Sequence, residues 1–463
     1  MQLEPGKNAI VIGLGTSGMA AVRFLQAQGL KVSVSESRPE EQLNGSDTAM
    51  LERLGVQVET GGHSREFFNT ADMVVPSPGV PLDLPVLQYI REKKVRVVGE
   101  LALAAGRIPV PVIGVTGSNG KTTVTSLIGH LLQSAGRNVF VGGNIGTPIL
   151  DYLMGEQNAE VAVLELSSFQ LEIAGRFRPD IALFLNVSPD HLDRHGSMEN
   201  YAAAKRRIFA HQQPKDTAVI CADDPWVMNG PEDKAGTVLR FGFHPDSEAL
   251  VTKNGVTISA VLPEGRIDEQ YNLAGTSLFS NVNRLNAAAA ILAARIIGCR
   301  PEAIEIGLAD FIPPDHRMTV IKDIDGVRYI DDSKATNIGA VTAALASCGS
   351  QVILIGGGRD KGSDFRLLEP AVREHVKQLI LIGEAADSMS EALGSLVSTS
   401  KAASLEDSVR LAAKVAQPGN TVLLSPGCAS FDMFTSYAHR GEVFRQAVLG
   451  LCKMKEETEE VKR

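Results

Sequence analysis

Short β-branched runs alternate with helix-length segments along almost the whole chain, and many of the runs end in glycine-rich turns. A strand that hands over to a helix is normally followed by a parallel strand, so the alternation specifies βαβ units and parallel sheets. Three series stand out. Residues 9–12, 32–34 and 73–75 form the first; 110–115, 138–141, 161–166 and 181–186 the second; 352–355, 379–382 and 422–424 the third. The predicted class is α/β with three domains. Length agrees, because single cores stop growing near roughly 250–300 residues and the chain has 463. Pro109 and Pro111, then the pair Pro313-Pro314, put breaks near 100 and 313, giving domains 1–99, 100–313 and 314–463. Residues 240–275 read as short strands and turns, an edge or insertion of the middle domain. The charged tail 453–463 reads as the frayed end of a last helix.

Lys and Arg number 45 against 54 Asp and Glu, a net charge of −9. That balance excludes general nucleic-acid binding, which needs a basic surface. It leaves room for small anions held by local cations. Apolar residues at 44% and charged residues at 21% describe a globular chain rather than a disordered one. No apolar run approaches the length of about 18 residues that spans a membrane, and residues 1–7 lack the apolar stretch of a signal peptide. The five cysteines are scattered, with neither a Cys-x-x-Cys pair nor zinc spacing. A reduced, cytoplasmic compartment is therefore expected.

Several loops carry chemistry. Gly13-Leu14-Gly15-Thr16-Ser17-Gly18 follows the first strand and opens a helix, where glycines let a pyrophosphate approach the helix N-terminus. Glu36 ends the next strand, a place from which a carboxylate accepts from a ribose hydroxyl. Thr116-Gly117-Ser118-Asn119-Gly120-Lys121-Thr122-Thr123 is a variant phosphate loop, with Val115 where the strict pattern has glycine. In such a loop the N–H groups point at phosphate oxygens, Lys121 can bridge the β- and γ-phosphates, and the Thr122 hydroxyl can ligate Mg²⁺. Glu165 ends an apolar strand, from which a carboxylate points into the ligand crevice and suits Mg²⁺. Asp190 and His191 stand in a dense run, 186–195, that could ligate or brace a metal. Lys205 falls on a helix expected over 200–210, facing Ala202 and Ala203; taken alone it reads as a solvated helix lysine. His316-Arg317 follows the Pro-Pro pair, and the runs 331–337 and 424–432 are further polar or small-residue loops at strand ends. Nucleophilic catalysis is not indicated: there is no Gly-x-Ser-x-Gly elbow, and Cys428 has no evident His partner.

Taken in order, GLGTSG, SPGVPL (77–82), GVTGSNGKTT, GGNIGTP (142–148), ELSSFQLE, NVSPDHLDRH, YAAAKRRIF, DHRM (315–318), DDSKATN, GGGRDKGSDF and LLSPGCASFDMF resemble the Mur ligase family over the whole length. SPGVPL, ELSSFQLE and DDSKATN are similar to its D-glutamate-adding branch, and the DNPR motif of the diaminopimelate-adding branch is absent. The resemblance implies a Rossmann-like UDP-binding domain, a central P-loop-type ATPase domain and a C-terminal Rossmann-like ligase domain that closes over ATP. It implies ATP-driven amide formation between UDP-N-acetylmuramoyl-L-alanine and D-glutamate through an acyl phosphate, in peptidoglycan precursor synthesis, by a monomer. It implies Mg²⁺, as two ions, and a CO₂-derived carbamate on Lys205. Lys121, His191 and Lys205 would be catalytic, and Thr122, Glu165, His191 and Lys205 would hold metal. ATP would meet Gly117, Ser118, Asn119, Gly120, Lys121, Thr122, Thr123, Asn283, Asn286, Arg317, Asp332 and Lys334. The UDP substrate would meet Gly15, Thr16, Ser17, Glu36, Ser37, Arg38, Ser77, Pro78, Gly79, Asn144 and His191. D-Glutamate would be framed by Lys334, Thr336, Lys361, Ser430 and Phe431. Two details depart from the family pattern: Val282 replaces a histidine, and Glu36-Ser37-Arg38 replaces Asp-Thr-Arg. Another Mur-type or a folylpolyglutamate-type ligase is the alternative, though the latter lacks a first domain like 1–99. A nicotinamide oxidoreductase would not need the second phosphate loop.

Overall fold

The computed structural model describes residues 2–229 and 236–460, with side chains to residue 451. Its strands form three sheets of five, nine and six strands. The first is wholly parallel, in the order Gln57–Glu59, Lys31–Ser35, Asn8–Ile12, Met73–Pro76, Arg96–Val97. The chain reverses direction of travel across the sheet at Asn8–Ile12. Ligand crevices open outside the carboxyl ends of strands at such a reversal, and Gly13–Gly18 lies there.

The second sheet repeats this plan. Val112–Thr116 lies between Ile181–Phe184 and Val161–Glu165, all parallel, with Val115 opposite Glu165 and Thr116 opposite Phe184. The loop 117–120 therefore leaves the switch strand beside the strand end that carries Glu165. The following helix, Lys121–Ser134, has no side-chain N-cap. Packing holds it instead: Val124, Leu127, Ile128, Leu131 and Leu132 are 0% exposed. Each such burial contributes roughly 1.5–3 kcal/mol, which outweighs a missing cap of about 1 kcal/mol. At the far edge, Gly255–Leu262 and Gly265–Asn272 pair as an antiparallel hairpin of eight-residue strands. These are longer than the short strands expected there. The hairpin's first strand alternates buried and exposed residues, as an edge with one covered face requires.

The third sheet runs Thr319–Ile324, Val327–Asp331, Thr421–Leu424, Val352–Gly357, Val376–Ile382, Ser398–Lys401, with only the first of these antiparallel. Val352, Leu354, Leu379 and Leu381 join one core, whereas Ile353, Ile355, Ile380 and Ile382 join another. Alternate residues bury on opposite faces, so these strands read as unbroken apolar runs.

The chain divides into two compact units. One contains Met1–Asn186, Glu199–Thr276 and Leu285–Asp310; the other contains Val187–Met198, Ser277–Arg284 and Phe311–Arg463. The first unit holds both N-terminal sheets. Arg23 forks onto Asp151 at 2.8 and 2.7 Å, and the Gly99 amide donates to the Ile173 carbonyl at 3.0 Å, tying the two sheets together. The helix expected over 200–210 runs Met198–Arg206 and tightens into a 3₁₀ turn, Arg207–Phe209. The last helix spans Tyr437–Glu460, and residues 461–463 of the tail lie outside the described residues. Among the described residues no helix is long and apolar enough to cross a membrane.

Candidate functional site

In the first unit the phosphate loop is held from several sides. Lys121 Nζ donates to the Gly117 and Ser118 carbonyls at 2.8 and 2.9 Å. Lys205 Nζ donates to the Gly117 carbonyl at 2.7 Å and lies 4.4 Å from the Tyr201 ring centre. Lys205 is 1% exposed, so it is not a solvated helix lysine; Ala203, which it was expected to face, is exposed. Asn186, at the end of the neighbouring strand, brackets Asn119: its Oδ1 accepts from the Asn119 amide at 2.8 Å, and its Nδ2 donates to the Asn119 carbonyl at 3.1 Å. The Ser118 hydroxyl meets the Tyr201 hydroxyl at 3.2 Å. Gly120 has a positive φ of 82°, and a Cβ there would lie 2.5 Å from Asn286 Oδ1, so Asn286 packs directly on the loop.

Glu165 is 3% exposed. Its Oε2 accepts from the Thr122 hydroxyl at 2.7 Å and its Oε1 from Asn144 Nδ2 at 2.9 Å. Among the described residues no group of three or more His, Cys, Asp or Glu gathers at metal-binding distance. One carboxylate beside one hydroxyl and a phosphate loop does not make an all-protein cage. It does fit Mg²⁺, which commonly takes one or two carboxylates with phosphate oxygens and water.

The other glycine loop of this unit is built around acids. Glu36 Oε2 accepts from the Leu14 amide at 2.8 Å, and Arg38 Nε and Nη2 donate to the carboxylate at 3.2 and 3.0 Å. Burial pushes this carboxyl up, but hydrogen bonds from Arg38 and Leu14 outweigh burial and hold it at about 2. Glu36 thus anchors the loop that it was expected to serve from the ribose side. Ser77 Oγ donates to the Gly13 carbonyl at 3.0 Å. A Cβ on Gly18 would lie 2.0 Å from that same carbonyl, which requires glycine. Gly15, Thr16, Ser37, Arg38 and Gly79 are exposed around the loop, with Ser17 and Pro78 half-buried.

The second unit gathers its own polar loops. Asp332 Oδ2 accepts from Ser425 Oγ at 3.0 Å and Oδ1 from the Met318 amide at 3.2 Å. Burial lifts this carboxyl to about 7, against the pull of Ser425 and Arg317. His316 Nδ1 lies 2.6 Å from Asp331 Oδ2, and both His316 and Met318, flanking Arg317, have positive φ. Lys334 Nζ sits 3.8 Å from the Tyr437 ring centre. Asp190 meets Asn337 Nδ2 at 3.2 Å and Lys361 Nζ at 3.5 Å, while His191 Nε2 is 3.6 Å from Asp190 Oδ2. Thr336 is half-buried, Ser430 buried and Phe431 64% exposed. Asn283 Nδ2 donates to the Ser277 carbonyl at 3.2 Å. Cys428 is 1% exposed and burial pushes its thiol up to about 12.

Thr122, Asn144, Glu165, Lys205 and Asn286 therefore come together with the phosphate loop. His191 and Asn283 group with the second unit instead. Sequence reasoning missed Tyr201 and the bracketing role of Asn186. The four-residue spacing of Tyr201 and Lys205 on one helix was the available signal for Tyr201.

Residues 7–99 match the family model described as Mur ligase MurD-like, N-terminal domain; 115–294 match the Mur ligase middle domain; 316–428 match the Mur ligase, glutamate ligase domain. The UDP-N-acetylmuramoylalanine--D-glutamate ligase of Desulfotalea psychrophila is 47% identical over 443 residues, covering 95% of either chain. The enzyme of that name from Koribacter versatilis is 43% identical over 443 residues, covering 96% of this chain and 97% of its own. Among solved structures, a pseudomurein peptide ligase type C from Methanothermus fervidus superposes with a TM-score of 0.60 at 20% identity, over 96% of this chain and all of that one. The MurF ligase of Thermotoga maritima in complex with ADP gives 0.58 at 18% identity, over 96% of each chain. The two structures share the fold; the full-length identities, with three matching family models in the right order, mean that the chain belongs to the Mur ligase family.

Proposed function

We infer that this chain is an ATP-dependent ligase that joins D-glutamate to UDP-N-acetylmuramoyl-L-alanine, a step of peptidoglycan precursor synthesis. The observation that carries this reading is identity of 47% along nearly the whole chain to a ligase of that name. The substrate carboxylate attacks the γ-phosphate of ATP and becomes an acyl phosphate, releasing ADP. The amine of D-glutamate then attacks that carbonyl, forming the amide and releasing phosphate and a proton. We take this work to be cytoplasmic, a reading that the use of ATP and a UDP-linked precursor supports, and the working form to be a monomer.

We assign residues 1–99 to the UDP substrate, 100–313 to ATP and 314–463 to D-glutamate. Lys121 would exchange its two loop carbonyls for the β- and γ-phosphates, placing positive charge where the transferring group gathers negative charge. Thr122 and Glu165 would hold Mg²⁺, supported by their direct contact and the burial of Glu165 at its strand end. Bound Mg²⁺ supplies charge neutralisation between the phosphates and the incoming carboxylate. Asn144, already on Glu165, would reach the muramoyl-peptide. Lys205, as a neutral amine, would add CO₂ and release a proton; its burial against Gly117 and Tyr201 supports a working rather than a solvated role. Arg317, Asp332 and Lys334 would meet the nucleotide, and Lys334, Thr336, Lys361, Ser430 and Phe431 the D-glutamate carboxylates.

Phosphate release tests the reading. It should require ATP, Mg²⁺ and UDP-N-acetylmuramoyl-L-alanine together, and product should form with D-glutamate. Equal turnover of L-glutamate would remove the stereospecific assignment.

A further inference from the structure

Arg440, on the helix Tyr437–Glu460, is 0% exposed and is among the largest fully buried side chains of the protein. Its Nε donates to Ser333 Oγ at 3.0 Å. Its Nη2 donates to the carbonyls of Ser333 and Cys428 at 2.8 and 3.1 Å. Its Nη1 donates to the carbonyls of Cys428 and Ala429 at 3.1 and 3.3 Å. Each of these acceptors is an uncharged oxygen. Burial pulls the guanidinium down to about 10, so it is still a cation at neutral pH. A buried cation hydrogen-bonded only to neutral oxygens, with Asp432 and Asp331 acting on it through space, is a costly arrangement. It is retained here where two ligand loops turn their carbonyls inward.

Ser333 stands between Asp332 and Lys334. Cys428 and Ala429 directly precede Ser430 and Phe431. Ala429 also exchanges both backbone hydrogen bonds with Arg359, at 2.9 and 3.0 Å, on the way to Lys361. Gly358 lets that loop close in: a Cβ there would lie 2.3 Å from the Ala429 carbonyl and 3.2 Å from Arg440 Nη1. Two strand-end loops thus bond directly to one planar fork, and a third is tied to them through Ala429.

We propose that Arg440 is a positioning residue that sets the D-glutamate loop, 428–431, against the nucleotide loop, 332–334. This rests on the functional reading given above. A lysine cannot replace it, because a point ammonium with three rotatable donors does not reproduce the fork.

The test is steady-state kinetics of phosphate release by Arg440→Ala and Arg440→Lys, with thermal unfolding measured on the same samples. Hydrogen bonds of charged groups are worth enough that the KM for D-glutamate should rise roughly ten- to hundredfold in both variants. The KM for the UDP substrate should stay within about twofold, because its assigned domain lies in the other unit. Guanidinium ion at millimolar concentration should lower the KM of Arg440→Ala, and methylammonium should not. A folded variant with an unchanged KM for D-glutamate overturns the proposal, as does a KM rise shared equally by all substrates. If Arg440→Ala does not fold, Arg440→Lys decides alone by the same criterion. If the wild type prefers another amino acid, the functional reading fails, and the arginine is judged on the KM for that amino acid.

Discussion

The two glycine loops of the first unit each leave the switch strand of a sheet, among parallel neighbours, yet the charged side chains that hold them are of opposite sign. At Gly13–Gly18 the charged anchor takes an N–H group: the Glu36 carboxylate accepts from Leu14 and Arg38 closes over the acid, while the uncharged Ser77 hydroxyl takes the Gly13 carbonyl. At Thr116–Thr123 the charged anchors take a carbonyl: Lys121 and Lys205 both donate to Gly117, while the N–H of Asn119 goes to the uncharged Asn186 amide. An anchor that occupies a loop's N–H brings negative charge next to the site, which a diphosphate must then approach beside Arg38. An anchor that occupies the carbonyls leaves positive charge beside the remaining N–H groups, which suits a triphosphate. The same strand–turn–helix plan therefore gives one loop suited to positioning a substrate and another suited to stabilising charge during transfer.

The comparison breaks hardest at Lys121. If its charge stabilises the transferring phosphoryl group, Lys121→Ala should lower kcat by about 10²–10³, the scale of removing one preorganised donor. Near-normal kcat in a folded variant would leave the lysine as a loop brace only.

Lys205 sharpens the contrast, because brace and carbamate predict different rescues. Lys205→Ala should lose on the order of a hundredfold in kcat under either reading, since a buried, hydrogen-bonded charge is removed. With a carbamate beside Mg²⁺, formate or acetate should restore part of the activity, and Lys205→Arg should stay inactive because arginine cannot add CO₂ and remains cationic. With a brace, a small amine should rescue by donating to the Gly117 carbonyl, and carboxylates should do nothing. Rescue by amine alone would therefore end the carbamate assignment.

The sheets, the phosphate loop and Glu165 were legible because each has a local signal: a β-branched run, a glycine turn, an acid at a strand end. What was not legible depends on contacts across long stretches of chain. Arg440 reaches Ser333 across 107 residues, and Lys205 reaches Gly117 across 88. Read locally, Lys205 is one more helix lysine; only the packing of Tyr201 and Ala204 around it shows that it is inside. Glu36 was placed correctly at a strand end, but its direction was not legible. Whether such an acid faces a ribose or its own loop depends on Arg38 and the Leu14 amide, and strand position does not report on either. The run 186–195 reads as part of the middle domain, yet Val187–Met198 groups with the second unit, where Asp190 bonds Asn337 and Lys361.

The smallest expected effect comes from a second acid near the first glycine loop. Glu100 is as buried as Glu36, each 4% exposed, but it has no guanidinium beside it. Among the described residues neither of its carboxyl oxygens makes a hydrogen bond of good geometry. Burial pushes its carboxyl above the ordinary value of 4.5, and Ser17, the Leu150 and Ile149 amides and Gln170 only hold that rise back. The two acids should thus titrate in opposite senses. Glu36, held at about 2, contributes stability that is present above pH 4.5 and lost as pH falls through about 2. Glu100 favours the folded state fully below pH 4.5, and that advantage is lost as pH rises through its raised value. Glu100→Gln keeps the shape and removes the ionisation. Its melting temperature should therefore exceed that of the wild type by a few degrees at pH 8, with the gap closing toward pH 4. Glu36→Gln should melt below the wild type at pH 8, with its deficit shrinking toward acid. Thermal unfolding of Glu100→Gln from pH 4 to pH 8, and of Glu36→Gln from pH 2 to pH 8, checks the pair. A Glu100→Gln protein that is less stable than the wild type at pH 8 would mean that the buried carboxylate is compensated, and that partner supply does not separate these two acids.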